Sequence, residues 1–389
     1  MITEIGLENF KSFSAQYLRL APLTLLAGMN GMGKSTLLQA LLLLRQSWQQ
    51  KMLPDALGLN GELIAIGTGK DARYESADSD EILFSLTHST GAQMTWRFTA
   101  RTSEDWLRGA GFEGQIRDNE EPLFIQGHFH YLNAERVGPR VSYPVSDYRV
   151  RRLGEIGVHG EFAAHFLEVF GTNLVSEQMR HPSTVSTGQA TLPGTQPFTL
   201  FDQVEAWLGE ISPGTRLYRH LLQGVDQVQL GWGSDVAGFK SSEYRSTNVG
   251  FGLSYILPVL VALLSASPNH LILIENPEAH LHPRGQRLIG DLIARCASSG
   301  TQVIIETHSD HVLNGIRLAV VEGQIASDDV QIHYVERGAS GDAPYSVVHS
   351  PILYPDGRLS DWPEGFFDEW EKSLRLLLKP REGGQGGGT

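Results

Sequence analysis

Along the chain, short apolar runs of strand length alternate with longer apolar stretches of helical length. Ile2 to Leu7 and Tyr17 to Leu26 read as two strands around a turn, with a break at Pro22. Pro22 to Ala27 is almost wholly apolar, as a strand buried on both faces requires. Thr36 to Leu44 then reads as a buried helix. Glu81 to Thr87 and Gln93 to Thr99 flank Ser89-Thr90-Gly91 and predict a β-hairpin. With His128 to Leu132 as a third strand, they predict an antiparallel piece set beside a core. Gly160 to Phe170, Phe201 to Ile211 and Tyr255 to Ser265 read as helices, and 172–200 as a polar loop. Leu271 to Glu275 and Gln302 to Glu306 are apolar strands separated by a helix from Gly285 to Ser299. Strands Val330 to Val335 and Tyr345 to His349 and a helix Glu369 to Leu378 follow, then a glycine-rich tail from Glu382 to Thr389 that reads as disordered. Strands alternating with helices predict an α/β fold with a mainly parallel sheet, whose strand ends gather polar residues on one edge. There is no heptad repeat, which argues against a long coiled-coil arm.

Gly28-Met29-Asn30-Gly31-Met32-Gly33-Lys34-Ser35-Thr36 lies between the apolar strand and the first helix. It fits the phosphate-loop pattern of glycine, four residues and Gly-Lys-Ser/Thr, in the strand-loop-helix setting that the pattern needs. Glycines let successive N–H groups converge on one anion, and the helix adds its positive end. Lys34 is placed to reach β- and γ-phosphates, and Ser35 offers a hydroxyl to Mg²⁺. Asn30, Gly31, Gly33 and Thr36 complete the nucleotide-binding set. Further on, Gly250, Gly252 and Ser254 open an apolar helix and form a second possible anion site, with an ordinary helix cap as the alternative. Glu275 ends an apolar strand, where the carboxylate partner of Mg²⁺ is expected.

Net charge is -13, which argues against broad nonspecific binding of nucleic acid without excluding a local basic patch. The single cysteine, Cys296, cannot form an internal disulfide and points to a reducing compartment. No signal-peptide pattern opens the chain, and its longest apolar run contains Pro258 and is too short to span a bilayer, so the expected location is cytoplasmic. Other chemistry stays open. Asn9 to Phe13 is either a platform for adenine or two core phenylalanines. Arg136 and Arg140 either face phosphate or belong to a salt-bridged loop. His280 and His282 lack a cysteine or an acidic cluster to complete a transition-metal site, and His128 and His130 read as strand-face residues.

The phosphate loop, the Gly250–Ser254 helix start, the strand-end Glu275 and His308 occur in the order of the ABC-type ATPase heads, which the chain resembles. Asn9 to Phe13, Glu275-Asn276-Pro277-Glu278-Ala279-His280-Leu281-His282-Pro283 and Thr307-His308-Ser309 are similar to bacterial AAA-named ATPases related to the OLD family and to SMC and DNA-repair heads. Asp356 to Asp368 resembles an uncharacterised C-terminal region carried by one branch, and no Toprim nuclease domain is recognised. The resemblance implies an ABC-type P-loop head with an antiparallel β subdomain and a helical insertion. Its halves would be 1–140 and 246–340, the latter with signature loop, Walker B strand and switch histidine. The insertion would be 141–245, and the C-terminal region 341–381. It implies ATP and Mg²⁺ held by Lys34, Ser35 and Glu275, Gly252 and Ser254 as the signature loop that touches ATP on a second subunit, and His308 as the sensor of the γ-phosphate. A homodimer closed on two ATP molecules is the implied assembly.

Such heads carry Asp-Glu where this chain has Glu275-Asn276. Asn276 cannot accept a proton as a carboxylate does, although it can orient water. Glu278 is the nearest spare carboxylate for water activation, and slow turnover in a timed switch is the alternative. The leading expectation is an ATP-hydrolysing switch in DNA transactions or antiphage defence, with a separate protein effector and DNA as a possible partner, and without a membrane. An OLD-type nuclease-associated ATPase, a nucleotide-gated scaffold with little hydrolysis and a transporter subunit are the competing readings.

Overall fold

The computed structural model of the protein describes residues 1–116, 120–187, 197–236, 239–340, 343–363, 365–367 and 369–378. The glycine-rich tail, part of the expected 172–200 loop, Glu364 and Asp368 lie outside the described residues.

The central sheet contains β3 (Leu23–Gly28), β8 (Phe129–Leu132), β14 (Leu271–Glu275), β15 (Gln302–Glu306), β16 (Val330–Ser340) and β17 (Ala343–His349). Its order is β17-β16-β3-β15-β14-β8, parallel throughout except for the edge strand β17. Alternation along these strands feeds two cores, because successive side chains point to opposite faces. Leu23, Leu25, Ile272, Ile274, Val303 and Ile305 enter one core, while Leu26, Leu271, Leu273 and Ile304 enter the other.

The second core lies beneath α1 (Lys34–Gln49), where every leucine from Leu37 to Leu44 is buried. It is closed by an antiparallel sheet of β1 (Ile2–Phe10), β2 (Phe13–Arg19), β4 (Ala56–Gly58), β5 (Glu81–His88), β6 (Gln93–Thr99) and β7 (Trp106–Glu113), in the order β2-β1-β5-β6-β7-β4. The short helix α2 (Gly69–Ala72) carries a capping box between Thr68 and Asp71. Phe10 and Phe13 are buried, with Phe10 edge-on to Phe84 at 4.9 Å. The aromatic pair is therefore core packing and leaves no ring for an adenine platform. Its turn residue Lys11 sits at φ 53 and bonds Gln39.

The first core is covered by α3 (Ala163–Phe170), α5 (Leu200–Ile211), α6 (Phe251–Ser265), α7 (Pro283–Ser298) and α8 (Asp310–Val321). The helix α4 (Pro182–Thr187) precedes α5, and α9 (Glu369–Leu377) closes the described chain. Residues 141–245 contain the expected helices and also a small sheet. Strands β10 (Thr215–Leu222) and β11 (Gln227–Val236) form a hairpin joined by β9 (Tyr143–Pro144), β12 (Phe239–Lys240) and β13 (Tyr244–Arg245). One expectation needs correction. The strand at His128 to Leu132 is not part of the antiparallel piece; β8 pairs parallel with β14 at the edge of the central sheet.

Two glycines set how closely α7 and α8 approach. A Cβ on Gly290 would collide with the Val312 carbonyl, and one on Gly315 with the Arg287 carbonyl. These helices follow the loops after β14 and β15, so their contact holds both loops in register. Gly290→Val is expected to lower stability by about 1–3 kcal/mol through overpacking, read as a lower urea midpoint.

Burial and the neighbouring positive charges of His270 and Arg45 hold His130 down at about 3, and burial with His128 holds His270 down at about 4. An unfolded chain protonates these rings near pH ~6.5 while the folded one excludes the proton. Stability is therefore unaffected by them above that pH and falls as pH drops from there. Denaturant midpoints compared on either side of that pH check this, and His270→Gln should reduce the difference.

Candidate functional site

β3 ends at Gly28, and the chain turns through a loop whose crest, Met29 to Gly31, is exposed. Gly28, Gly31 and Gly33 all take positive φ, which only glycine adopts without strain. No side chain caps the start of α1, so its first N–H groups are not satisfied by one. Lys34 is buried and folds back across the loop, donating to the Met29 carbonyl at 2.7 Å. Thr36 is buried one turn in, and Asn30 stands at the exposed crest. Curled backbone, an open helix N-terminus and a buried lysine together fit a bound polyphosphate.

Sequence reasoning missed the group that faces this loop. Glu306, at the end of β15, is buried, accepts a 2.7 Å hydrogen bond from the Ser35 hydroxyl through Oε2, and holds Lys34 Nζ 3.8 Å from Oε1. Burial raises its pKa, Ser35 and Lys34 pull it back, and the Glu275 and Glu278 carboxylates push it up again. The signal was present as an apolar strand ending in a carboxylate, the same pattern as Leu271 to Glu275. Burial also lowers the Lys34 pKa against the pull of Glu306.

Glu275 pairs in register with Glu306 on the neighbouring strand. Its carboxylate accepts from the Tyr131 hydroxyl at 2.8 Å and the Ala134 N–H at 3.3 Å. The next residue, Asn276, takes φ 45, and its side-chain oxygen is buried without a partner. Glu278 is buried, accepts from the His308 N–H at 2.9 Å through Oε1, and has no partner at Oε2. The His308 side chain is exposed, and partial desolvation with the Lys34 charge lowers its pKa.

Arg136 neither faces phosphate nor forms a surface ion pair. It is buried and donates to the carbonyls of Glu275 at 2.7 Å, Asn276 at 2.6 Å and Tyr255 at 3.1 Å. With a further bond to the Asn133 carbonyl at 3.3 Å, it ties the strand-end loop to the first turns of α6, satisfying four carbonyls with one planar cation. Gly252 in that helix lies against the His280 carbonyl, where a Cβ would come within 2.7 Å. Gly250 and Phe251 are exposed, while the Ser254 hydroxyl is buried without a partner. The structure thus brings Lys34, Ser35, Glu306, Glu275, Glu278 and His308 to one edge of the central sheet. Among the described residues no hydrogen bond joins Ser254 or Gly252 to the Gly28–Thr36 loop. His280 meets Tyr255 edge-on with ring centroids 4.5 Å apart, and His282 caps α7. Among the described residues no three His, Cys, Asp or Glu side chains are grouped to hold a metal. A cation at Ser35 would complete its shell with phosphate and water, as Mg²⁺ does.

Comparison with known proteins adds sequence to this geometry. Residues 1–92 match the family described as an AAA ATPase domain, and residues 217–314 match that described as an AAA domain, putative AbiEii toxin, Type IV TA system. The chain carries AAA ATPase domain sequence. Residues 325–377 of this AAA chain match a protein family of unknown function (DUF3696). Among solved structures it is similar to an SMC head bound to the C-winged helix domain of ScpA, at 13% identity and a TM-score of 0.49 over 90% of this chain and 98% of that one. It is also similar to an Smc head with an extended coiled coil, bound to the C-terminal domain of ScpA, from Pyrococcus furiosus. That match has 12% identity and a TM-score of 0.49, covering 97% of this chain and 98% of the other. An SMC head from Thermotoga maritima matches at 11% identity and a TM-score of 0.41, covering 89% and 98%. No curated protein matches. Among the described residues no helix is long and apolar enough to cross a membrane.

The unpartnered Glu278 oxygen beside His308 generates a test. Glu278→Gln keeps the shape and the bond from the His308 N–H but removes a carboxylate oxygen able to accept a proton. ATP turnover is expected to fall by about 10²-fold or more, with ATP binding retained, as read by phosphate release and by nucleotide titration. Wild-type turnover in that variant excludes Glu278.

Proposed function

We propose that this AAA protein binds and hydrolyses ATP at the Gly28–Thr36 loop and uses the nucleotide to close a dimer of two heads. The observation that carries the reading is the division of the polar groups. One set surrounds the phosphate loop, whereas the start of α6 carries an unpartnered serine hydroxyl with no bond to the loop of its own chain. A second copy, placed head to head, would bring the exposed start of α6 at Gly250 and Phe251 to the γ-phosphate, and Ser254, buried in the single head, would be uncovered as that helix start shifts. Lys34 would hold the β- and γ-phosphates, Ser35 would turn its hydroxyl to Mg²⁺, and His308 would contact the γ-phosphate. Bound Mg²⁺ would neutralise phosphate charge. Glu278 would take the proton of the attacking water at Oε2, with Asn276 orienting that water. Loss of the γ-phosphate removes the contacts of Ser254 and His308, so hydrolysis favours the open state.

The reading extends, by resemblance, to a switch that acts with a separate protein effector in DNA transactions or antiphage defence in the cytoplasm. The experiment is specific ATP turnover against protein concentration, with Lys34→Ala as the blank. The rate per head is expected to rise with concentration and saturate. Ser254→Arg is expected to abolish both the rise and the ATP-dependent dimer seen by sizing, while single heads still bind ATP. Tight binding with no turnover above Lys34→Ala would instead favour a nucleotide-gated scaffold.

A further inference from the structure

We propose that the cavity between α3, the loop that follows it and the end of α6 is a second binding site. Its ligand is a small uncharged molecule with an apolar ring body and one hydrogen-bond donor. The cavity has a volume of about 500 Å³. Small-molecule sites span ~300–1,000 Å³. A cavity of ~150 Å³ holds benzene, so this one has room for two fused rings.

The walls set the ligand's class. Phe166 and Phe170 of α3, Leu200 of α5 and Leu264 of α6 make the lining apolar. Among the described residues no Asp, Glu, Lys or Arg lines it, in a chain where those types make up 19% of the sequence. An ionic ligand would therefore lose its hydration and find no counter-charge. An apolar ring has the opposite balance, because water held against apolar walls is readily displaced.

The polar groups set the donor. His130 is only 4% exposed, and among the described residues no hydrogen bond reaches its ring. The His270 ring lies 6.2 Å from it between centroids, and His270 Nδ1 has no partner. The hydroxyl of Ser176, another lining residue, is also buried without one. Buried polar groups are ordinarily bonded, so three unpaired in one lining single this cavity out. Burial holds both imidazoles neutral, and a neutral imidazole keeps one bare nitrogen that accepts. The matching group on a ligand is an N–H or O–H.

The cavity is separate from the nucleotide loop. His270 precedes β14 and Glu275 ends it, so the two sites lie at opposite ends of that strand. Leu174 lines the cavity and is 61% exposed, which marks the mouth.

The test titrates the whole protein into 5-fluoroindole and follows ¹⁹F NMR. Saturable line broadening is expected, unchanged by ATP. The carboxylate analogue 5-fluoroindole-2-carboxylate is expected to bind at least about tenfold more weakly. His130→Phe keeps the ring's shape and removes the acceptor. It is expected to weaken 5-fluoroindole about tenfold and to leave 1-fluoronaphthalene, which has no donor, unchanged. Loss of folding would remove both compounds together and would not produce that split. Leu174→Glu puts a charge at the mouth from an exposed position. It is expected to weaken both compounds with no change in the urea midpoint, and it decides the matter if His130→Phe does not fold. No saturable binding of 5-fluoroindole, its displacement by ATP, or undiminished binding to folded His130→Phe overturns the proposal. Equal affinity for the carboxylate overturns the assigned ligand class.

Discussion

The site depends on the parallel pairing of β3 with β15. It joins residues from the two ends of the chain, Val303 opposite Leu23 through Glu306 opposite Leu26. Parallel neighbours run in the same direction, so their C-terminal ends share one edge of the sheet. The phosphate loop leaves one strand there, and Thr307-His308-Ser309 leaves the other. Everything else, from the α1 leucines on one face to α7 and α8 on the other, serves to bury this pair of strands and keep its register.

Much of that was legible in the sequence. Apolar runs of strand length marked β3, β14 and β15 because a strand buried on both faces needs no polar side. Gly28 to Thr36 was readable because few other chemistries need glycine, lysine and serine at that spacing. Residues 141–245 were only half legible. Their helices showed, but β10 and β11 did not, since alternation is weak in Arg216 to Leu222 and the hairpin faces solvent on one side. The placement of β8 was wrong for a different reason. Four residues cannot reveal whether their partner runs parallel or antiparallel, and the partner, β14, lies about 140 residues away, as the Tyr131–Glu275 bond shows.

The site was legible as a set of residue types and less so as a set of contacts. Lys34, Ser35, Glu278 and His308, which the motifs singled out, come together at one edge of the central sheet. The contacts of Glu306, Tyr131 and Arg136 could not be read from local spacing, because they arise from tertiary pairing. Arg136 is instructive. In sequence it looked like a phosphate ligand or a surface charge, and in the fold it binds four main-chain carbonyls and holds the Asn276 turn. Its positive charge is spent on structure, whereas that of Lys34 lies across the loop.

Gly33 ends the phosphate loop with φ 99, wedged between the hydroxyls of Ser12 and Ser346, and Ser346 donates to the Met32 carbonyl at 2.6 Å. The second of these serines belongs to the region of unknown family function, on β17. The loop is thus clamped before any nucleotide arrives. A clamped loop has already lost most of its conformational entropy, so that cost is met in folding and not charged against affinity. The C-terminal hairpin therefore contributes to how tightly the loop grips its ligand without touching the ligand, and a change at Ser346 would register as weaker affinity at an intact site.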